Sequence, residues 1–171
     1  MRDYSEYRLG ESSDETLDVS TRDDNAEAAL ELIKQCKQKL AIISQELDPL
    51  VYDQADLVEA MRQLALKSRN VEIRIIVFEP ELIVRKGHKI VDLAGKVSSF
   101  IEMRKVAKEY KSFNETLLVA DNSGYLYRQS TERYNGKLNF NGRRESKHLL
   151  EAFNKMWETA KPDANLRRMH L

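Results

Sequence analysis

The stretch FNETLLVADNSGYLYRQS, residues 113–130, runs from an apolar segment into Asp121 and then turns at Asn122-Ser123-Gly124. An aspartate that ends a buried strand just before a turn is placed for chemistry, provided it has a partner. Histidine is the first partner to look for. In RKGHKIVD, His88 and Asp92 stand four apart on a helical pattern, with Arg85, Lys86 and Lys89 nearby. Side chains at that spacing can hydrogen-bond, so His88 is the acid–base candidate. Its plainer reading is a polar residue in the first turn of a surface helix. His148 adjoins the core-facing Leu149 and reads as a satisfied boundary histidine, and His170 lies in the tail. Three scattered histidines and one cysteine offer no metal-ligand spacing, and no Gly-rich phosphate loop is present, so no cofactor is implied.

Cationic chemistry is concentrated in YLYRQSTERYNGKLNFNGRRESK, residues 125–147. Arg128, Arg133, Lys137, Arg143, Arg144 and Lys147 stand there against Glu132 and Glu145, interleaved with Tyr125, Tyr127, Tyr134 and Phe140. Cations among exposed rings suit single-stranded nucleic acid, with guanidinium on phosphate and rings under bases. Gly142-Arg143-Arg144 also opens a helix, where free N–H groups favour anions. Two plainer readings stand beside this one: cross-strand packing for alternating tyrosines and a solvated face for the charges.

The elements that must position these groups follow from periodicity. AEAALELIKQCKQ reads as a helix capped by Asp23 or Asp24, and KLAIISQ as a short strand. The loop ELDPLVYD precedes the amphipathic helix QADLVEAMRQLALKS, which aligns Leu57, Met61, Leu64 and Ala65. VEIRIIVF is a continuous apolar strand of the kind found inside a sheet. HKIVDLAGKVSS then reads as a short helix, FIEMRKV as a strand, and NETLLVAD with GYLYRQS as a hairpin. RRESKHLLEAFNKMWETA is a strong helix facing the core with Leu149, Leu150, Phe153, Met156 and Trp157, and Pro162 ends it. The alternation predicts an α/β fold, a mixed sheet flanked by helices on both faces.

The 171 residues suffice for one domain with a real core. Net charge is zero, but the first 27 residues hold three arginines and nine acids, a net of −6, leaving +6 on the remainder. The reading is an acidic disordered leader at 1–24, a domain at 25–161 and a tail at 162–171. The leader is either a solvating tail or a polyanion mimic folding back over a basic site. No segment approaches the roughly 20 apolar residues of a membrane span. Cys36, alone and on a helical pattern, reads as a small buried apolar residue, which fits a reducing cytoplasm.

The order of elements, with LAIISQELDPLVYDQADLVEAMRQLALKSRNVEIRIIVF and LLEAFNKMW, resembles the phospholipase D superfamily over roughly residues 26 to 160. That family carries H-x-K-x4-D on a strand ahead of a hairpin. Aligning the motif on Asp121 puts Thr116 at the lysine position and Asn114 at the histidine position, giving N-x-T-x4-D. In the family one histidine attacks phosphorus, a second protonates the leaving oxygen, lysines neutralise charge and the aspartate orients an imidazole. An Asn carboxamide has no basic lone pair, and a Thr hydroxyl no charge. The resemblance implies a vestigial site at Asn114, Thr116 and Asp121, with Ser130 at the place of a phosphate-contacting serine. It also implies a homodimer, because single-motif relatives build one site from two chains. The leading expectation is a non-catalytic domain binding a phosphate-bearing ligand, nucleic acid above all. The alternatives are an interaction or regulatory module with a purely structural pocket, and a phosphodiesterase using His88.

Overall fold

A computed structural model describes residues 2–168. The strands are β1 (Leu17–Val19), β2 (Lys39–Ile43), β3 (Glu72–Val77), β4 (Ile101–Lys105), β5 (Thr116–Ala120), β6 (Gly124–Arg128) and β7 (Gly136–Asn139). The helices are α1 (Arg22–Gln35), α2 (Pro49–Tyr52), α3 (Ala55–Ala65), α4 (Pro80–Lys86), α5 (Lys89–Lys96), α6 (Arg143–Thr159) and α7 (Ala164–Arg168). The strands form one mixed sheet in the order β1-β7-β6-β5-β2-β3-β4. β2, β3 and β4 are parallel, whereas β5 runs antiparallel to β2 and opens an antiparallel run through β6 and β7 to β1. No helix among the described residues is long and apolar enough to cross a membrane.

Helices cover both faces, as the alternation of elements requires, but unequally. On one face Leu40, Ile42, Ile73, Ile75, Leu118 and Leu126 pack with Leu32 and Ile33 of α1, Met61 and Leu64 of α3 and Ile90 of α5. On the other, α6 alone lays Leu149, Phe153 and Met156 on Ala41, Ile43, Ile76, Leu117, Val119 and Tyr125. Leu150 and Trp157 are only half-buried there. β2 and β5, covered on both sides, therefore read as unbroken apolar runs. At the C-terminal end of α6 the covering of the sheet becomes charged. Arg74 and Arg104 stack on Trp157, with their carbons 5.6 and 4.1 Å from the ring centroid, and pair with Glu72 and Glu102.

Local capping departs from expectation in instructive ways. Thr21, not Asp23 or Asp24, caps α1: its side chain accepts the Asp24 N–H at 3.0 Å. The two aspartates instead occupy the first turn, where they face the positive end of the helix dipole. Pro49 starts the unforeseen α2 rather than interrupting a loop, because Asp48 accepts from Leu50 N–H and proline costs nothing at a first helical position. Pro80 likewise takes the first helical position of α4, there without a side-chain cap.

Both chain ends also depart from the reading of leader and tail. Residues 2–20 are packed, not disordered. Tyr4 is 4% exposed, the Tyr7 ring stacks on Phe140 at 5.2 Å, and β1 pairs with β7 through Leu17↔Leu138. Gly10 N–H bonds Phe140 O, Asn139 bonds Asp14, and Gln35 bonds both Leu9 N–H and Tyr7 O. The physical reason is the apolar set Tyr4, Tyr7, Leu9, Leu17 and Val19, too sparse for a periodicity but matched to the surface of β6 and β7. At the other end Lys161 exchanges two backbone bonds with Lys105, and α7 buries Leu166. Each terminus thus covers one edge of the sheet, which would otherwise expose unpaired backbone groups. Replacing Tyr4 by alanine should cost about 3 kcal/mol of unfolding free energy, as for other large buried rings. Denaturant titration checks this; a mobile leader would give no change.

Candidate functional site

Of the three residues aligned on the motif, Thr116 and Asp121 lie on the β5–β6 hairpin and Asn114 just before it, and β5 separates Asp121 from the other two. Asp121 and Asn122 form the turn with left-handed backbone, φ of 52° and 55°, and Ser123 N–H bonds Ala120 O at 3.0 Å. Gly124 is therefore a strand residue rather than a turn residue. Its lack of a side chain admits Leu9, since a Cβ there would lie 2.5 Å from Leu9 Cδ1.

Asp121 finds its partners in backbone. Its Oδ2 accepts from Lys37 N–H at 2.7 Å, and its Oδ1 from Gln38 and Lys39 N–H at 2.9 and 3.0 Å. Cys36 Sγ lies 3.5 Å from the same carboxylate, and burial together with that charge pushes its thiol pKa up. The aspartate thus ties the hairpin turn to the connection between α1 and β2. It sits about 16 Å along the strand from Thr116, at ~3.3 Å per residue.

Asn114 and Thr116 lie at the other end, beside the carboxyl ends of the parallel strands, where open α/β sheets form ligand crevices. Asn114 Nδ2 donates to Ser130 Oγ at 3.3 Å, and Thr131 Oγ1 donates to Asn114 O at 2.9 Å. Thr116 is buried and faces Arg128 directly across the β5–β6 ladder. Arg128 is 4% exposed, and its guanidinium makes no hydrogen bond to any described residue; Nη1 is both buried and unpartnered. Asn25, Tyr52 and Thr116 wall the space beside it, which has room for about one water. Burial raises the Tyr52 phenol to about 12, so it stays a neutral donor near this charge.

Tyr134 roofs the arginine. Its ring lies 5.1 Å from the guanidinium carbon, its hydroxyl donates to Asp48 Oδ2 at 2.8 Å, and its carbonyl accepts from Asn25 Nδ2 at 2.7 Å. The arrangement can do one thing chemically: offer a desolvated, planar array of N–H donors to an anion. Asn25, Asp48, Tyr52 and Thr131 were missed in the sequence. Asp48-Pro49, an N-cap followed by a first-position proline, was the signal that could have found α2 and with it Tyr52.

The remaining cations do not converge on this point. Arg133 is exposed in the 129–135 loop, and its N–H bonds Ser130 O. Lys137 pairs with Asp18 of β1. Arg143, Arg144 and Lys147 are exposed on the first turns of α6, which starts against Tyr125 near the hairpin turn, with Arg143 beside Gly10. That is the opposite end of β6 and the opposite face of the sheet from Arg128. The rings are not a stacking platform either. Phe140 and Tyr125 are buried, and half-buried Tyr127 bonds Glu115.

His88 does not pair with Asp92. It caps α5: Nδ1 accepts the Ile90 N–H at 3.1 Å, leaving Nε2 to donate to Leu47 O at 2.9 Å. Both ring nitrogens are engaged, the residue is 4% exposed, and burial holds its pKa below the ordinary histidine value. His148 is exposed on α6, and His170 lies outside the described residues.

The fold is that of the phospholipase D superfamily. Three solved structures share it: TrmBL2, described as an archaeal chromatin protein with a novel mode of DNA binding (TM-score 0.64, 17% identity, 88% of this chain and 55% of that one); Nuc, a phospholipase D family member from Salmonella typhimurium (0.61, 13%, 86% and 96%); and NucT from Helicobacter pylori (0.60, 12%, 87% and 100%). The chain spans about half the length of the TrmBL2 chain. No curated protein matches it. Over residues 21–169 the sequence matches the family described as Domain of unknown function (DUF7931), and the chain belongs to that family.

Two outcomes follow from the hydrogen bonding. Asp121→Ala should destabilise the protein by about 3 kcal/mol, because it strands three N–H groups; Asp121→Asn, which keeps an acceptor, should cost less. Equal effects of the two in denaturant titrations would show that the acceptor is not what matters. His88 is depressed in the folded state, so its stabilisation is complete above the unfolded value of about 6.5 and is lost as pH falls through the folded value. The unfolding free energy should drop below about pH 6.5, by at most ~1.4 kcal/mol per pH unit from this group, and His88→Asn should flatten the slope.

Proposed function

We propose that this chain is a non-catalytic phospholipase D-like domain that binds a phosphate-bearing ligand, with nucleic acid as its carrier. The observation that carries the reading is Arg128: a guanidinium almost wholly out of water, with no acceptor among the described residues, in register with the threonine at the motif's lysine position. Burying an uncompensated charge costs several kcal/mol, and an anion brought by a ligand offsets it. A cation on β6 in place of one on β5 keeps the means to hold a phosphate. Asn114 in place of the nucleophile removes the means to attack it.

The shared fold of TrmBL2, a DNA-binding protein by its description, supports nucleic acid as the carrier. Nuc and NucT share the fold equally, so the fold by itself favours neither binding nor hydrolysis. The reading as a phosphodiesterase using His88 loses its support, since a ring that donates to Leu47 O and accepts from Ile90 has no nitrogen left for a substrate.

The dispersion of the cations makes the electrostatic expectation modest. Arg128 and Arg133 alone flank Ser130, so the salt dependence of single-strand binding should have a log–log slope of about −1.4, at ~0.7 per phosphate for two contacts. Fluorescence anisotropy of a labelled oligonucleotide at two salt concentrations measures it. Arg128→Gln should abolish binding, while the Arg143→Ala/Arg144→Ala double variant should leave the slope unchanged. A slope steeper than about −3, reduced by the double variant, would move the interface to α6. Turnover of nucleic acid, phospholipid or a chromogenic diester above that of a His88→Ala control would refute the non-catalytic reading.

A further inference from the structure

The Arg128 crevice is too small and too firmly roofed for a continuous diester backbone. A phosphodiester has a substituent on each side and needs a groove open at both ends. Here Asn25 and Tyr52 close one side, and the free space beside the guanidinium holds about one water. Tyr134 closes the top through three contacts at once: its ring on Arg128, its carbonyl on Asn25 and its hydroxyl on Asp48. Asp48, held by the Tyr134 hydroxyl, adds a carboxylate at the roof. A polyanion laid across the roof would be repelled by that charge, whereas a single group projecting inward past it would keep its carrier outside.

We propose that Arg128 takes a terminal phosphate, a phosphomonoester at the end of a nucleic-acid strand or on a small molecule, and that the Tyr134–Asp48 hydrogen bond is the latch this group displaces. The inference rests on the reading of the crevice as a phosphate site and specifies what that site admits. A monoester has one substituent, so it can enter with its carrier left outside, and near neutral pH it brings close to two charges to a single guanidinium. Swinging Tyr134 outward breaks its bond to Asp48, enlarges the space beside Arg128 and leaves the hydroxyls of Thr116 and Tyr52 on its walls as further donors. No covalent step is involved. In the closed state Tyr134 supplies the arginine with a ring face in place of an anion, which is the weaker of the two interactions.

The test uses the full chain and an oligonucleotide labelled at its 3′ end, carrying either a 5′-phosphate or a 5′-hydroxyl, read by anisotropy, with inorganic phosphate in a parallel thermal-unfolding series. Binding of the 5′-phosphate form at least about tenfold tighter, with the difference lost in Arg128→Gln, supports the proposal and makes a strand end the source. If neither oligonucleotide binds but inorganic phosphate raises the unfolding midpoint of the wild type and not of Arg128→Gln, the proposal holds with a small phosphate as the source. Equal, Arg128-dependent binding of the two oligonucleotides overturns the terminal-phosphate inference and leaves the phosphate-site reading standing. No response to any of these probes removes both. Tyr134→Phe keeps the ring and cuts the latch, so it should tighten phosphate binding by about fivefold; unchanged or weaker binding overturns the latch. This variant tests by a gain, so it remains decisive if Arg128→Gln fails to fold.

Discussion

Three backbone N–H groups in a row, those of Lys37, Gln38 and Lys39, converge on the carboxylate of Asp121, and the architecture of the site depends on that contact. It fastens the β5–β6 turn to the start of β2 and so fixes the register of the central pair, from Leu40↔Ala120 to Ile43↔Leu117. A slip by one residue would turn every side chain of β5 to the other face. The apolar set Leu118 and Ala120 would then leave the face it shares with α1. Left-handed backbone at Asp121 and Asn122 costs ~1–2 kcal/mol each in general, less for these two residue types. The carboxylate's bonds offset that cost. Within this fold the aspartate is an anchor.

The cation-rich segment does not act as a single surface. A net of +6 outside the first 27 residues sounds like a polyanion-binding surface. In three dimensions it is spread over both faces and both ends of the sheet, and part of it is answered locally, as Lys137 is by Asp18 and Arg74 by Glu72. Exposed charges separated by about a Debye length act nearly independently. Arg128 differs in kind. In a low-dielectric setting with no acceptor among the described residues, one guanidinium would interact with an anion more strongly than several solvated lysines would.

The packed leader and tail belong to the same economy of edges. β1 covers β7, and Lys161 covers β4. Two of the leader's acids, Asp14 and Asp18, bond Asn139 and Lys137, on the β7 side of the sheet. Removing residues 1–27 would take away six net negative charges and also the Tyr4 and Tyr7 rings packed on Phe140, so it would alter packing as well as charge.

What the sequence determined by itself is the class of fold. Apolar runs such as VEIRIIV and the amphipathic LVEAMRQLA carry the strand–helix alternation, because periodicity records which faces must leave water. Short elements were not legible: β1, β7, α2 and α4 have three to seven residues each, fewer than a periodic pattern needs, and are held by tertiary contacts. Only the tertiary structure decided the roles of the singled-out side chains. His88 became a cap because Leu47 O and Ile90 N–H lie on either side of its ring. Asp121 became an anchor because α1 ends beside it. Arg128 separated from the other five cations because a strand turns alternate residues to opposite faces, and α1 and α2 close over the face on which it stands. Partners distant in sequence make those assignments, and no local pattern encodes them.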